Sequence, residues 1–312
     1  MVSPVENLLE PLKRHLSDQK AIEIVCRTPG EIGVEARNGK WKTHQIPELD
    51  DDYWNRLAKG LAIITGQRFS AKKPVMRGTL PGGHRLFLMT GPNIIDFATR
   101  GPGVVATIRL NRTIATEIHQ FGADNHATDI LKNGVLGRKN IVVAGSMGSG
   151  KTSLTRILCD WISEARPVSI EDSAEIELKQ PFATQFLVSA VEADTEITNR
   201  DIVSNLQRTR ADRFILGETT IENVSILMRL YNLGVPGTLA TLHCDTPAEA
   251  IDSISELLNL SGYTKNEAAT RKYLERKIDM VVFVERAGAS RVISEIYKPL
   301  PGGPGEILWR RG

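Results

Sequence analysis

The chain has 312 residues, of which 41% are hydrophobic and 24% are charged, and its formal net charge is only +2. This composition is typical of a soluble globular protein with room for two domains, and the small net charge gives nucleic-acid binding no support. No apolar run approaches the roughly 18 residues of a membrane span and no signal-peptide core is visible, while three widely spaced cysteines favour a reducing compartment over a zinc cluster.

The first 110 residues predict a mixed α/β domain. Turn signals at Thr28-Pro29-Gly30 and Asn38-Gly39 separate its first strands, and a helix is predicted over Asp51–Thr65. The polar, weakly patterned residues 111–126 are predicted to form a linker. The predicted strands of this domain are Ala21–Cys26, Glu31–Ala36, Trp41–Gln45, His84–Met89 and Val104–Leu110.

Residues 127–312 predict a second domain in which strands and helices alternate. Such alternation is typical of a parallel sheet with helices on both faces. Thr246-Pro247-Ala248-Glu249 has the form of a capping box, and a hairpin is predicted around Gly288. The predicted strands are Asn140–Ala144, Val168–Ile170, Arg213–Leu216, Thr238–Leu242, Met280–Glu285 and Arg291–Ile296, and the helices are Ser153–Ala165, Glu222–Leu233 and Pro247–Leu258.

The most specific pattern is Gly145-Ser146-Met147-Gly148-Ser149-Gly150-Lys151-Thr152, which fits G-x-x-x-x-G-K-[ST]. Its glycines would let backbone N–H groups turn towards an anion, which a Cβ would obstruct. Lys151 would reach the β- and γ-phosphates, and the Thr152 hydroxyl would ligate Mg²⁺. A strand before the loop and a helix after it favour this interpretation over a chance turn. We therefore predict an ATP and Mg²⁺ site that extends to Ser153.

Acidic residues end two predicted strands, and in a parallel sheet the carboxyl ends of the strands face the ligand crevice. Glu218 is predicted to hold the Mg²⁺ shell or to take a proton from water. Glu171 is a second candidate for positioning water. Asp172 and Glu175 would serve the metal shell or hold neighbouring loops, and we expect a purely structural role for at least one of Glu171, Asp172 and Glu175.

His243 ends a third predicted strand and is a candidate sensor of the γ-phosphate, although a lone histidine at a strand end is more often a satisfied polar residue. Arginines that approach the γ-phosphate neutralise developing charge, often from another subunit or domain. The candidates are Arg85, Arg109, Arg208 and Arg210.

The order of these motifs resembles that of the secretion-superfamily ATPases. The motifs of that family, Walker A, Asp box, Walker B and His box, match Gly145–Thr152, Ser169–Ile176, Arg208–Glu218 and Gly237–Ala250. Within the superfamily, the chain is most similar to the hexameric traffic ATPases of type IV secretion, the VirB-eleven type. Phrases typical of their N-terminal half match Thr28–Glu35, Leu80–Leu88 and Val105–Leu110.

The resemblance implies a RecA-like phosphate-loop ATPase domain that follows a smaller, PAS-like α/β domain, with nucleotide bound between the two. Arg85 and Arg109 would then reach the phosphates, and Glu218 and Glu171 would support hydrolysis. It further implies a homo-hexamer on the cytoplasmic face of the inner membrane, in contact with other secretion-system ATPases and channel components. The implied function is Mg²⁺-dependent ATP hydrolysis that powers protein or DNA translocation, or pilus biogenesis.

Several positions depart from the family pattern. Met147 and Ala211 replace the usual threonine and proline, and Thr219-Thr220 stands where an arginine is common. Alternatives are a pilus assembly or retraction ATPase, which belongs to the same superfamily, a RecA-like nucleic-acid motor and a nucleotide-binding scaffold. The 5% aromatic content disfavours direct nucleic-acid binding, and Glu218 with Glu171 argues against a scaffold without turnover. The tetracysteine zinc element of type II secretion ATPases is absent from the sequence.

Overall fold

The computed structural model describes residues 4–112, 116–188, 199–264, 266–288 and 290–312. The described residues up to Arg112 form one compact unit, and those from residue 116 onwards form a second. Within these ranges, no helix has both the length and the apolar character that a bilayer span requires.

The first unit is an antiparallel sheet with helices on one face. Its strands follow the order β3-β2-β1-β6-β5-β4, so β3 and β4 are opposite edges. The sequence pattern missed β4. The elements are α1 (Pro4–Leu8), a 3₁₀ helix (Glu10–Leu12), α2 (Lys13–Ser17), β1 (Ala21–Thr28), β2 (Glu31–Ala36), β3 (Trp41–Gln45), α3 (Asp51–Thr65), β4 (Val75–Leu80), β5 (His84–Ile95) and β6 (Pro102–Arg109).

Helix α3 has the bounds that the sequence predicts, because both of its ends are capped. The Asp50 side chain accepts a hydrogen bond from the Tyr53 N–H at 2.6 Å, and Gly66 adopts the left-handed conformation that ends the helix. Leu57 and Leu61 lie on the buried side of α3. The opposite side therefore faces away from the core of this unit.

The second unit contains an eight-stranded sheet. Two 3₁₀ helices, Ile118–Phe121 and Leu206–Thr209, accompany the regular elements. These are α4 (Asn125–Leu136), β7 (Ile141–Ala144), α5 (Lys151–Asp160), β8 (Pro167–Glu171), β9 (Thr184–Leu187), α6 (Asn199–Asn205), β10 (Arg213–Thr219), α7 (Val224–Asn232), β11 (Leu239–Leu242), α8 (Ala250–Leu260), α9 (Glu267–Lys277), β12 (Met280–Ala287), β13 (Ser290–Lys298) and β14 (Glu306–Arg310).

The strand order is β14-β13-β12-β7-β11-β10-β8-β9, parallel from β12 to β9. The predicted hairpin is confirmed as the antiparallel pair β12 and β13. Val142 and Ala144 of β7 pack with α7 and α8, whereas Ile141 and Val143 pack with α4 and α5. Because both faces of the sheet are covered, the predicted α/β class is confirmed.

Two predicted helix boundaries are wrong. Helix α5 ends at Asp160 rather than at residue 165, and the Gln180 side chain donates hydrogen bonds to the carbonyl oxygens of Cys159 and Ile162. Helix α8 begins at Ala250 rather than at the predicted Pro247. Its N-cap Glu249 makes no side-chain cap hydrogen bond, so the predicted capping box is absent. The carbonyl oxygen of Thr246 instead accepts from the Cys244 thiol.

Part of the predicted linker is ordered structure of the second unit. Phe121, in the first 3₁₀ helix of this unit, is buried in its core. Asp124 caps α4 by accepting a hydrogen bond from the Ala127 N–H at 2.7 Å, and it also accepts one from the Trp309 indole at 3.0 Å. These contacts tie residues 118–126 to the sheet.

Candidate active site

Three neighbouring strands bring the main candidate residues to one edge of the sheet. Strand β7 leads into the glycine-rich loop, β11 ends just before His243, and the Glu218 side chain lies near the end of β10. Because β11 lies between β7 and β10, His243 is placed between the loop and Glu218. The three motifs therefore lie at the same edge of the sheet.

The loop needs glycine at its first and last turns. At Gly145, φ is +148°, and a Cβ there would lie 2.0 Å from the carbonyl oxygen of Val284 on β12. Gly150 has a φ of +98° and forms the N-cap of α5 without a side-chain cap. The N-terminal N–H groups of α5 are therefore left for a ligand, as in other phosphate-binding loops.

Lys151 lies buried at the base of the loop. Its ammonium group donates hydrogen bonds to the carbonyl oxygens of Gly145 at 2.9 Å and Ser146 at 2.8 Å. It also lies 3.1 Å from Nδ1 of His243. The lysine is thus held by the loop that it would help to bind phosphate.

His243 connects Lys151 to Glu218. Its Nε2 lies 3.0 Å from Oε1 of Glu218. Since an ammonium group can only donate, Nδ1 of His243 accepts from Lys151, and Nε2 then carries the proton that is donated to Glu218. The arrangement Lys151–His243–Glu218 therefore fixes one tautomer of the neutral imidazole.

Asn223, which the sequence pattern did not single out, is hydrogen-bonded to the backbone of Glu218. Its side-chain amide donates to the carbonyl oxygen of Glu218 at 2.7 Å and accepts from the N–H of Thr220 at 2.8 Å. Asn223 is buried. An asparagine three residues after the polar stretch Thr219-Thr220 is a turn signal that could have identified it. The side chain of Thr219 is buried.

Arg291 on β13 is a second contact that the sequence analysis missed. Its Nε donates to the carbonyl oxygen of Gly148 at 3.3 Å. A Cβ on Gly150 would lie 3.1 Å from the Arg291 side chain and 3.2 Å from Phe121. The hairpin and the first 3₁₀ helix of this unit thus form a wall of the loop.

A cleft of about 520 Å³ opens beside the loop. One rim carries Met147, whose side chain is 81% exposed. Burial raises the pKa of the Cys244 thiol to about 11, so this group stays protonated and donates to the carbonyl oxygen of Thr246. The cleft is lined by Ser146, Met147, His243, Cys244, Asp245, Glu249, Asp252, Ser253 and Glu256.

Glu171 lies on the strand next to the one that carries Glu218. It ends β8, which pairs with β10, and a Cβ on Gly217, the residue before Glu218, would lie 2.8 Å from the Glu171 side chain. Its buried carboxylate accepts hydrogen bonds from the N–H groups of Glu175 and Ile176 at 2.8 and 2.7 Å, and from the Ser169 hydroxyl at 2.7 Å. These bonds hold the segment that follows β8, and the role of Glu171 in positioning water stays a prediction.

The two arginines expected at the phosphates lie in the first unit. Arg85 on β5 and Arg109 on β6 are register partners, so they are adjacent on the sheet. Arg109 is exposed and Arg85 is partly buried. The remaining predicted loop residues, Thr152 and Ser153, lie in the first turn of α5 and are partly buried.

The residues of the loop fit a nucleotide phosphate. The hydroxyl of Ser149 is buried and has no hydrogen-bond partner among the described residues. Together with the N–H groups of the first turn of α5 and the Lys151 ammonium, it supplies donors to an anion. No three His, Cys, Asp or Glu residues within the described ranges are grouped to hold a metal ion. Thr152 and Glu218 offer the one or two protein ligands that a phosphate-bound Mg²⁺ requires.

This chain is similar to known proteins over most of its length. A family model described as "type II/IV secretion system protein" matches residues 6–282. The type IV secretion system protein VirB11 of Bartonella quintana (strain Toulouse) is 27% identical over 95% of this chain and 93% of its own length. A putative conjugal transfer protein of Mycobacterium tuberculosis (strain CDC 1551 / Oshkosh) is 28% identical over 91% of this chain and 81% of its own.

Among solved structures, the pilus retraction motor PilT with bound ADP has a TM-score of 0.61 at 20% identity and covers 97% of this chain and 84% of its own. At this identity the likeness concerns the fold alone. It confirms the predicted architecture, a RecA-like domain that follows a smaller N-terminal α/β domain.

Proposed function

Because this chain belongs to the type II/IV secretion system protein family and is an ATPase of that family, we propose that it hydrolyses Mg²⁺-bound ATP to drive macromolecules through a type IV secretion system. The observation that carries the proposal is the contact of His243 with both Lys151 and Glu218 at the loop. That contact joins a phosphate-binding cation to a carboxylate next to the place where the γ-phosphate would lie.

Each residue of this cluster has a defined task in the proposed reaction. The N–H groups of the first turn of α5 and the Lys151 ammonium bind and orient the phosphates. Bound Mg²⁺ would neutralise developing charge on the phosphate oxygens, with Thr152 and Glu218 as its protein ligands. Glu218 also accepts a proton from the attacking water, and His243 holds that carboxylate through Nε2.

By the family resemblance, Arg85 and Arg109 of the first unit assist hydrolysis. Their positive charges would neutralise the negative charge that develops on the γ-phosphate. Their adjacency in the sheet supports a shared task. In the full chain, Arg85→Ala with Arg109→Ala should then lower hydrolysis, whereas Arg77→Ala, on the neighbouring strand β4, should leave it unchanged.

We further propose a homo-hexameric ring that is peripheral to the inner membrane on its cytoplasmic side and contacts other secretion-system ATPases and channel components. The similarity to VirB11 over nearly the whole length of both chains supports this assignment. The similarity to a conjugal transfer protein supports DNA as well as protein as a translocated substrate.

Phosphate release by the purified full chain tests the proposal. Hydrolysis should require Mg²⁺ and stop when the metal is chelated, and analytical ultracentrifugation with nucleotide should show a hexamer. Retention of full activity after chelation would contradict the metal dependence. Strong stimulation by single-stranded DNA would instead support the nucleic-acid motor.

A further inference from the structure

Charge is unevenly distributed along the first unit. The whole chain is nearly balanced, with 39 Lys and Arg against 37 Asp and Glu, yet residues 53–95 contain seven Lys or Arg and no Asp or Glu. This acid-free segment runs from α3 through β4 into β5. Its cations are Arg56, Lys59, Arg68, Lys72, Lys73, Arg77 and Arg85.

Two isoleucines are exposed within this segment. The side chain of Ile63 is 84% exposed and that of Ile64 is 56% exposed, both in the last turn of α3. Arg56, Lys59 and Ile63 recur three and four residues apart, so they share the side of α3 that faces away from the core. The acidic residues Asp51 and Asp52 lie at the opposite end of the helix.

The turn after α3 carries another exposed lysine. Gly66 ends the helix, and a bridge between Ser70 and Lys73 leaves Lys72 exposed. The Gln67 side chain donates to the carbonyl oxygen of Arg77 at 2.7 Å, which fixes this turn against β4. Two cations therefore share a side of α3 with Ile63, and a third follows in the adjoining turn.

We propose that the surface formed by Arg56, Lys59, Ile63, Ile64 and Lys72, here called the α3 surface, docks on an anionic lipid bilayer. The proposal rests on the membrane association proposed above and assigns the residues that perform it. Aliphatic side chains enter the boundary between headgroups and acyl chains, and each Lys or Arg near an anionic leaflet adds about 1 kcal/mol.

Other occupants fit this surface less well. Single-stranded nucleic acid is bound on exposed aromatic rings, but the aromatic residue of this turn, Phe69, is partly buried against the core. A symmetric contact with a second copy would bring the same cations face to face, which is unfavourable. The combination of exposed aliphatic side chains with positive charge is complementary to anionic lipid.

Flotation of the full chain with lipid vesicles tests the proposal. We expect binding to phosphatidylcholine vesicles that contain phosphatidylglycerol, and much weaker binding to phosphatidylcholine alone. Ile63→Ser with Ile64→Ser should weaken binding by about tenfold or more. Lys59→Gln with Lys72→Gln should weaken it by about fivefold for each charge removed.

Matched controls lie elsewhere in the same unit. Ile95→Ser removes another exposed isoleucine, and Lys42→Gln removes an exposed lysine from β3, at the opposite edge of the sheet. Both should bind vesicles like the parent protein. All variants should hydrolyse ATP at the parent rate without lipid, which separates this proposal from the ATPase activity and shows that they are folded.

Three outcomes would overturn the proposal. If the parent chain hydrolyses ATP but does not bind anionic vesicles, the membrane docking fails while the enzyme assignment stands. If the α3-surface variants bind vesicles as tightly as the controls, another surface carries the association. If they instead change the oligomeric state or lose affinity for single-stranded DNA, the surface belongs to a second copy or to nucleic acid.

Discussion

The ammonium group of Lys151 lies 3.1 Å from Nδ1 of the His243 imidazole. The same ammonium donates to two carbonyl oxygens of the loop, so a phosphate oxygen would compete with three acceptors for the lysine protons. The position of the His243 ring therefore depends on what Lys151 binds. Because Nε2 of the same ring is hydrogen-bonded to Glu218, a movement of the ring would also move the Glu218 carboxylate.

Replacing His243 should separate binding from turnover. His243→Ala removes the link between Lys151 and Glu218 but leaves the loop intact, so kcat should fall by about 10²-fold, the scale of a positioned acid–base group. The dissociation constant for ATP should change much less. Steady-state phosphate release and binding of a fluorescent nucleotide measure the two effects. His126→Ala, at an exposed position, serves as the control.

Lys151 and Glu218 should respond differently to substitution. Lys151→Ala removes the charge nearest the β- and γ-phosphates, so it should weaken ATP binding and abolish hydrolysis. Glu218→Gln keeps the size of the side chain but loses the carboxylate, so it should still bind ATP while hydrolysing it poorly. Parent-level turnover by Glu218→Gln would show that the carboxylate has no part in the reaction.

Asn223 should act as a positioning residue for Glu218. Asn223→Ala removes both hydrogen bonds that shape the turn after the Glu218 carbonyl, so kcat should fall by about tenfold, in keeping with two lost hydrogen bonds. The KM for ATP should stay near that of the parent. Glu222→Ala, at the exposed neighbouring position, should leave both constants unchanged. A rise in KM alone would assign Asn223 to nucleotide binding instead.

Glu171 should contribute to folding stability. In Glu171→Gln, one of the two oxygens becomes an NH₂ donor, so the side chain can no longer accept both at the position that serves Ser169 and Gln185 and at the position that serves the N–H groups of Glu175 and Ile176. The free energy of unfolding should fall by about 1–3 kcal/mol, as measured in urea against the exposed control Glu177→Gln. Unchanged stability with a kcat about 10² lower would restore Glu171 as the catalytic base considered from the sequence.

Asp124 should make stability depend on pH. Its hydrogen bonds from the Ala127 N–H and the Trp309 indole lower the pKa of this carboxyl. A lowered folded-state pKa stabilises the protein above the unfolded-state pKa, and that contribution is lost as the pH falls through the folded-state value. Asp124→Ala should therefore lower the denaturation midpoint at pH 7, and its difference from the parent should shrink in acid. Asp129→Ala, exposed on the same helix, should show no such convergence.

The sequence predicted the bounds of an element well where a capping residue stands at each of its ends. Helix α3 matched because Asp50 and Gly66 are strong end signals. Helix α4 was assigned in part to a linker although Ala127, Leu131 and Val135 follow a helical period after the cap Asp124. The end of α5 could not be predicted, because Gln180, twenty residues further along the chain, satisfies its last carbonyl groups.

For the site, the sequence predicted that strand-end residues face one crevice, but not how their side chains pair. Strand-end positions were enough to bring together Lys151, His243 and Glu218, because parallel strands share one carboxyl edge. The order of the strands is a tertiary property, and it places Glu171 on β8, next to the strand that carries Glu218. Asn223 and Arg291 act through backbone carbonyl groups, which leave no motif in a sequence.

The place of β7 in the sheet has a consequence for biosynthesis. This strand is the first of its unit to leave the ribosome, yet its two neighbours, β11 and β12, are made later. The wall of the loop needs Val284 and Arg291, and Asp124 receives its indole partner only with Trp309. At 5–20 residues per second, roughly ten seconds of translation separate the loop from that wall. In a nascent chain, the phosphate-binding loop therefore lacks this wall until β12 and β13 have been made and paired.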